Sequence, residues 1–138
     1  FDVTYAVTHV VYTLDDYGKF RLSRDWLRPE FDYLQANFSE AKELSDGEML
    51  GEFMDTLRAF GKTESDPEIQ SGVDYLLSRQ NPDGSWGDMH RDDTYTRYHS
   101  TWTAVDGLRQ YAYQGLRSPE DFSTEARKPA LHLKPRLR

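Results

Sequence analysis

At 138 residues the chain has the length of one domain. Its aromatic content of 14%, from nine Tyr, seven Phe and three Trp, supplies a core despite a mean hydropathy of −0.83, which excludes general disorder. A net charge of −7 argues against nucleic acid as a partner, the lack of Cys excludes disulfides and thiolate metal sites, and no apolar run approaches the ~18 residues of a membrane span.

A chain without Cys fits a reducing, cytoplasmic location. Phe1 already sits inside a helical pattern, which predicts a fragment of a longer protein or an excised domain. Apolar residues at Val3, Ala6, Val7, Val10, Val11 and Leu14 form a helical stripe over 2–16, with Gly18 as its stop. The opposite face holds Tyr5, His9, Tyr12 and Asp16. Such a helix suits a place between a core and a wet cavity.

A second helix opens near Ser23 or Asp25, tolerates Pro29 in its first turn and buries Trp26, Leu27, Phe31, Leu34, Phe38 and Ala41. Ser45 and Glu48 read as a capping box for a third helix, whose stripe is Met49, Leu50, Phe53, Met54, Leu57 and Phe60. Asp66-Pro67-Glu68 starts a fourth, burying Ile69, Val73, Leu76 and Leu77. Asn81-Pro82-Asp83-Gly84 is turn chemistry, and Trp86 follows at once. A fifth helix covers about 98–113, with Trp102, Val105, Leu108 and Ala112 inward. The helical domain therefore spans 1–117. Residues 118–138 read as a basic, proline-containing tail carrying Arg127, Lys128, Lys134, Arg136 and Arg138, with room for a short helix near 120–127.

Thr13-Leu14 with Tyr17-Gly18 echoes Thr56-Leu57 with Phe60-Gly61, and Gly107-Leu108 with Gly115 partly echoes both. Helices one, three and five are then equivalent, with two and four between them, as in stacked helical hairpins. The fold class is all-α.

Gln80-x-x-Asp83-Gly84-Ser85-Trp86 resembles the glutamine–tryptophan repeat of squalene–hopene and oxidosqualene cyclases, and Gly72-Val73-Asp74-Tyr75-Leu76-Leu77 resembles the outer helix that leads into it. Tyr98-His99-Ser100-Thr101-Trp102 resembles the next inner helix of those cyclases. It is also similar to the Tyr-His-Thr helix start in the β subunit of protein prenyltransferases, where the histidine binds zinc. The resemblance covers 66–115. It implies an arc of an α/α toroid with about half the helices of a complete one, finished by another segment or chain. It also implies a biosynthetic enzyme, of a bacterial kind, acting on an apolar small molecule.

Without Cys, metal ligands must be His or carboxylate. His9 and His99 face one cavity if helices one and five are neighbours, and Asp106 lies on the face of His99. These three are the candidate ligands for zinc or another divalent ion. Only His99 matches a ligand of the prenyltransferases, whose cysteine ligand is absent. Hydrogen-bonded polar residues on a partly buried face are the plain alternative for both histidines. His90-Arg91-Asp92-Asp93-Thr94 is similar to the Asp-x-Asp-Asp-Thr motif of proton-initiated cyclases, with His90 in place of the first aspartate, so Asp92 and Asp93 are the candidate acids; a solvated acidic loop is the alternative. Tyr5, Tyr12, Tyr98 and Trp102 are candidate substrate contacts, through cation–π attraction or as simple packing. A non-catalytic helical-repeat interaction module and an α/α-barrel carbohydrate-active enzyme are the other functions such a fold serves.

Overall fold

The computed structural model describes residues 2–44 and 47–125. Among them are seven helices and one short strand pair: α1 (Asp2–Asp15), β1 (Arg21–Leu22), α2 (Arg28–Ala36), α3 (Phe38–Leu44), α4 (Glu48–Ala59), α5 (Pro67–Ser78), α6 (Thr94–Leu108), β2 (Leu116–Arg117) and α7 (Pro119–Glu125). The fold is all-α. No described helix is long and apolar enough to cross a membrane.

The axis of the fold is α4. Every residue from Leu50 to Ala59 is buried, and Phe60 after it. Leu50, Phe53, Met54 and Leu57 join Leu34, Phe38, Ile69, Leu76 and Trp86 in one core. A helix enclosed on all sides is ordinarily apolar throughout. This one also buries Glu52, Asp55, Thr56 and Arg58. All five of α1, α2, α3, α5 and α6 touch it, α6 most extensively.

Close approach explains the partner faces. Gly51 of α4 lies against the α6 backbone, where a Cβ would stand 2.3 Å from the Thr103 carbonyl oxygen. No large side chain fits in that seam. The buried line of α6 is therefore Ser100, Thr103, Ala104 and Gly107. Trp102 and Val105, expected inside, are 57% and 46% exposed. Likewise α5 turns Ile69, Gly72 and Leu76 inward, and Leu77 faces solvent.

The boundaries have local causes. The expected second helix is two, broken at Asn37, whose side-chain Nδ2 and backbone N–H both donate to the Tyr33 carbonyl. Gly47, at φ 108°, is the N-cap of α4, so Glu48 is its first helical residue and not the third position of a capping box. Ser45 lies outside the described residues. At its own start, α6 begins at Thr94, earlier than the pattern suggests, because the Asp93 carboxylate accepts from the Tyr95 and Thr96 backbone N–H groups. It ends at Leu108, where Arg109 turns extended with ψ 153°.

Residues 80–87 fasten α5 to α6. Trp86 is buried, its indole Nε1 donates to the Leu76 carbonyl at 2.7 Å, and its backbone N–H donates to Thr101 Oγ1 at 3.0 Å. Gly84 takes φ 88°, as the turn requires. After α6 a strap returns to the end of α1. Gln114 N–H donates to the Lys19 carbonyl, Arg21 N–H donates to the Gly115 carbonyl, and β1 pairs in parallel with β2. Phe122 of α7 then packs on Trp26 at 5.4 Å, so the segment after 117 begins against the helical domain. The basic residues Arg127, Lys128, Lys134, Arg136 and Arg138 lie outside the described residues.

Candidate functional site

Three helices share one register. The spacing that aligns Thr13-Leu14 with Thr56-Leu57 also sets Tyr5, His9 and Tyr12 of α1 against Glu48, Glu52 and Asp55 of α4. A second constant spacing pairs Thr4, Tyr5, His9, Thr13 and Asp16 with Thr94, Tyr95, His99, Thr103 and Asp106 of α6. The ring geometry repeats as well. His9 stacks on Tyr5 at 3.6 Å and meets Tyr12 edge-on at 5.7 Å. His99 stacks on Tyr95 at 4.8 Å and meets Trp102 edge-on at 6.3 Å. Since α4 packs on both α1 and α6, its carboxylate ladder is flanked by two copies of one aromatic–histidine frame.

One end of the ladder gathers three donors. Glu48, Glu52 and His99 each place a ligand atom within 4.8 Å of the others. His99 Nδ1 stands 3.0 Å from Glu48 Oε1. The approach is not aligned as a hydrogen bond, and this buried nitrogen has no hydrogen-bond partner among the described residues. Glu52 is buried, and its Oε2 accepts from Thr8 Oγ1 at 2.8 Å. Burial raises its pKa, while the Thr8 bond and the charges of His9 and His99 pull it down. A cation beside Glu52 would favour its ionised form.

The other end is an acid pocket. Asp55 is buried, and its Oδ1 has no hydrogen-bond partner among the described residues. Burial pushes its carboxyl up to about 7 against the bond donated by the Tyr111 phenol, and Asp106 and Asp15 raise it further. Asp15, also buried, is likewise pushed up to about 7 by burial. Tyr12, Tyr111 and Tyr113 close around the pair, their phenols held above the ordinary range chiefly by burial.

The candidate residues from the sequence separate into two groups. His9 and His99 both lie near Glu52, but α1 and α6, expected to be neighbours, do not pack closely on each other, and α4 stands between them. His9 is outside the three-donor group, with Nδ1 2.9 Å from the Tyr5 carbonyl oxygen. Asp106 is outside it too, facing Arg109 at 3.4 Å and accepting from the Trp102 indole. Asp92 and Asp93 stand on an exposed loop leading into α6, outside the three-donor group. Bonds from the Thr96 hydroxyl and from the backbone at Thr96 and Tyr95 hold the Asp93 carboxyl below its ordinary range, the opposite of what a proton donor needs.

Tyr5 is 54% exposed beside His9, and Tyr12 is half-buried above Asp55. Tyr98 and Trp102 line an open groove of about 590 Å³ together with Trp86, Met89, Val105 and Arg97. Sequence reasoning missed Glu48, Glu52 and Asp55, because a carboxylate in a helical pattern ordinarily marks a cap or a solvated face. The repeat spacing was the available signal, since it aligns all three in sequence with the ring positions of α1.

No Cys is present to act as the thiolate ligand of the prenyltransferases. Two carboxylates and one imidazole, whose Nδ1 makes no aligned hydrogen bond, nevertheless suit a divalent ion such as zinc, iron or manganese. No protein-family model, curated protein or solved structure matches the chain.

Proposed function

We propose that this chain is a metal-dependent enzyme domain of the terpenoid-cyclase and prenyltransferase type, acting on an apolar small molecule. Glu48, Glu52 and His99 hold a divalent ion, zinc or a close relative. The observation that carries the reading is His99 Nδ1 set among two carboxylates, 3.0 Å from Glu48 Oε1 without an aligned hydrogen bond, on a face rimmed by exposed rings. When bound, such an ion polarises a substrate oxygen as a Lewis acid. Tyr5, Tyr98 and Trp102 offer ring faces to an apolar substrate and to any cation that develops on it. Asp55 keeps a proton near neutrality at the deep end of the same ladder, where it can serve as acid. In this reading α1, α4 and α6 are the inner helices of a toroid arc, with α2, α3 and α5 outside. Another segment or chain completes the ring.

Metal titration of the purified protein tests this directly. Zinc or manganese binds near one equivalent, and His99→Ala and Glu52→Gln each abolish binding while the fold persists. Absence of binding in the unaltered protein sinks the proposal.

A second reading has an observation of its own. Val3, Tyr5, Tyr95, Tyr98, Trp102 and Val105 are all exposed, a large apolar display for a chain this polar. A helical-repeat module that docks a protein would present such a face. Under that reading the face binds a partner chain and no metal.

A further inference from the structure

The repeated frame sets two histidines in the same ring surroundings but gives their nitrogens different tasks. His99 Nδ1 faces the carboxylates, 3.0 Å from Glu48 Oε1 without an aligned hydrogen bond. His9 Nδ1 is engaged twice, 2.9 Å from the Tyr5 carbonyl oxygen and 3.2 Å from Thr8 Oγ1. Thr8 Oγ1 also lies 3.2 Å from the Tyr5 carbonyl oxygen and 2.8 Å from Glu52 Oε2.

Proton counting orders these contacts. The Thr8 hydroxyl has one hydrogen, and the buried carboxylate at the shortest distance takes it. The hydroxyl oxygen then has only lone pairs to offer His9. A carbonyl oxygen has nothing but lone pairs. Nδ1 faces two acceptors and so carries the hydrogen, which leaves Nε2 bare in the neutral ring. The result is that the His9 Nδ1–H is shared between the Tyr5 carbonyl oxygen and, at the longer distance, Thr8 Oγ1, while the Thr8 O–H goes to Glu52 Oε2. Thr8 is fully buried and Glu52 nearly so, so the Thr8–Glu52 bond does not compete with bulk water, while the His9 contact is part-buried.

We propose that His9 and Thr8 are positioning residues for the metal centre: they fix one oxygen of Glu52 and thereby present the other to the ion. Outer hydrogen bonds of this kind orient ligating carboxylates and set affinity. The duplicated frame has thus diverged. Its α6 copy supplies a ligand, and its α1 copy holds a ligand supplied by α4.

The proposal rests on the metal reading above, and one experiment separates the two. Mn²⁺ affinity is measured for the unaltered protein and for Thr8→Val, Thr8→Ser, His9→Leu and His9→Asn, with melting curves for each. Thr8→Val and His9→Leu weaken binding about 10–100-fold. Thr8→Ser, which keeps the hydroxyl, and His9→Asn, which keeps a donor near the Nδ1 position, restore most of it. A long-range ¹H–¹⁵N spectrum shows His9 as the Nδ1–H tautomer, which both the Tyr5 carbonyl and the Thr8 oxygen require; the rescue by Thr8→Ser and His9→Asn is the readout that a purely structural role would not give.

If the unaltered protein binds no Mn²⁺, the metal reading falls and this proposal with it. If it binds but Thr8→Val and His9→Leu bind equally well, the metal centre stands and the positioning role is overturned. His9 found as the Nε2–H tautomer overturns it as well. Should Thr8→Val not fold, the His9 pair and the spectrum decide alone.

Discussion

Gly51 of α4 and Gly107 of α6 meet backbone to backbone: a Cβ on Gly107 would stand 2.8 Å from the Gly51 carbonyl oxygen, and one on Gly51 would stand 2.3 Å from that of Thr103. This seam brings His99 down to Glu48 and Glu52. The obstructing atoms are backbone and cannot rotate aside. Gly51→Ala therefore forces the helices apart and costs about 3 kcal/mol or more of stability. Metal affinity falls with it, because the donors separate. Denaturant melts and Mn²⁺ titration of the same preparation check both effects. A variant of unaltered stability would mean that the helices do not cross here.

The buried acids set a pH dependence of unusual sign. Asp15 and Asp55 are pushed up to about 7 by burial, whereas an aspartate in an unfolded chain titrates near ~3.9. Between those values the folded protein retains protons that the unfolded chain has lost. Stability from these groups therefore falls as pH rises from about 4 to about 7 and is level above. Each carboxyl withholds up to roughly 4 kcal/mol at the alkaline side, less than additively because the two lie within reach of each other's charge. Asp55→Asn removes one such group. Relative to the unaltered protein, its melting temperature is expected to gain more near pH 8 than near pH 5. Carboxylates held below their ordinary range, such as Asp66 and Glu68, slope the other way, and the comparison between variants cancels them. An equal gain at both pH values would show that Asp55 titrates normally.

Trp86 closes the turn that fastens α5 to α6. Its indole N–H is the partner of the Leu76 carbonyl at the end of α5, inside the core. Trp86→Phe keeps a ring but leaves that carbonyl unpaired and part of the space empty. The expected loss is about 2–4 kcal/mol, read by urea denaturation. A loss much below that would mean water replaces the indole and the turn is a surface feature.

How much of this was legible beforehand differs from element to element, for physical reasons. Asp66-Pro67-Glu68 and the Asn-Pro-Asp-Gly turn act locally, so they could be read from neighbours in sequence. The inward stripe of α6 could not. Hydropathy points to Trp102 and Val105, but a helix pressed against Gly51 can bury only Ser100, Thr103, Ala104 and Gly107. His9 and His99 were visible as equivalent positions because their helices share a spacing, but that spacing did not show that α4 lies between them. Glu48 and Glu52 were hidden because burial of a carboxylate is a tertiary property. Nothing near Glu52 in the sequence announces the Thr8 hydroxyl that makes its burial tolerable.

Asp93 separates two accounts of the acidic loop. Its carboxylate accepts from the Tyr95 and Thr96 backbone and from the Thr96 hydroxyl, the bonds of a helix N-cap. A cap needs an acceptor, not a titrating proton, whereas a general acid needs the proton and a raised pKa. Asp93→Asn keeps the acceptor and removes the acid; Asp93→Ala removes both. Under the capping account Asn leaves stability within a few tenths of a kcal/mol, and Ala costs about 1 kcal/mol. Neither moves Mn²⁺ affinity, since Asp93 is not among the three donors Glu48, Glu52 and His99. Turnover of an apolar substrate, once one is found, is likewise expected to survive in Asp93→Asn and to fail in Asp55→Asn. The reverse pattern would return the acid role to the loop and leave Asp55 as a buried structural carboxyl.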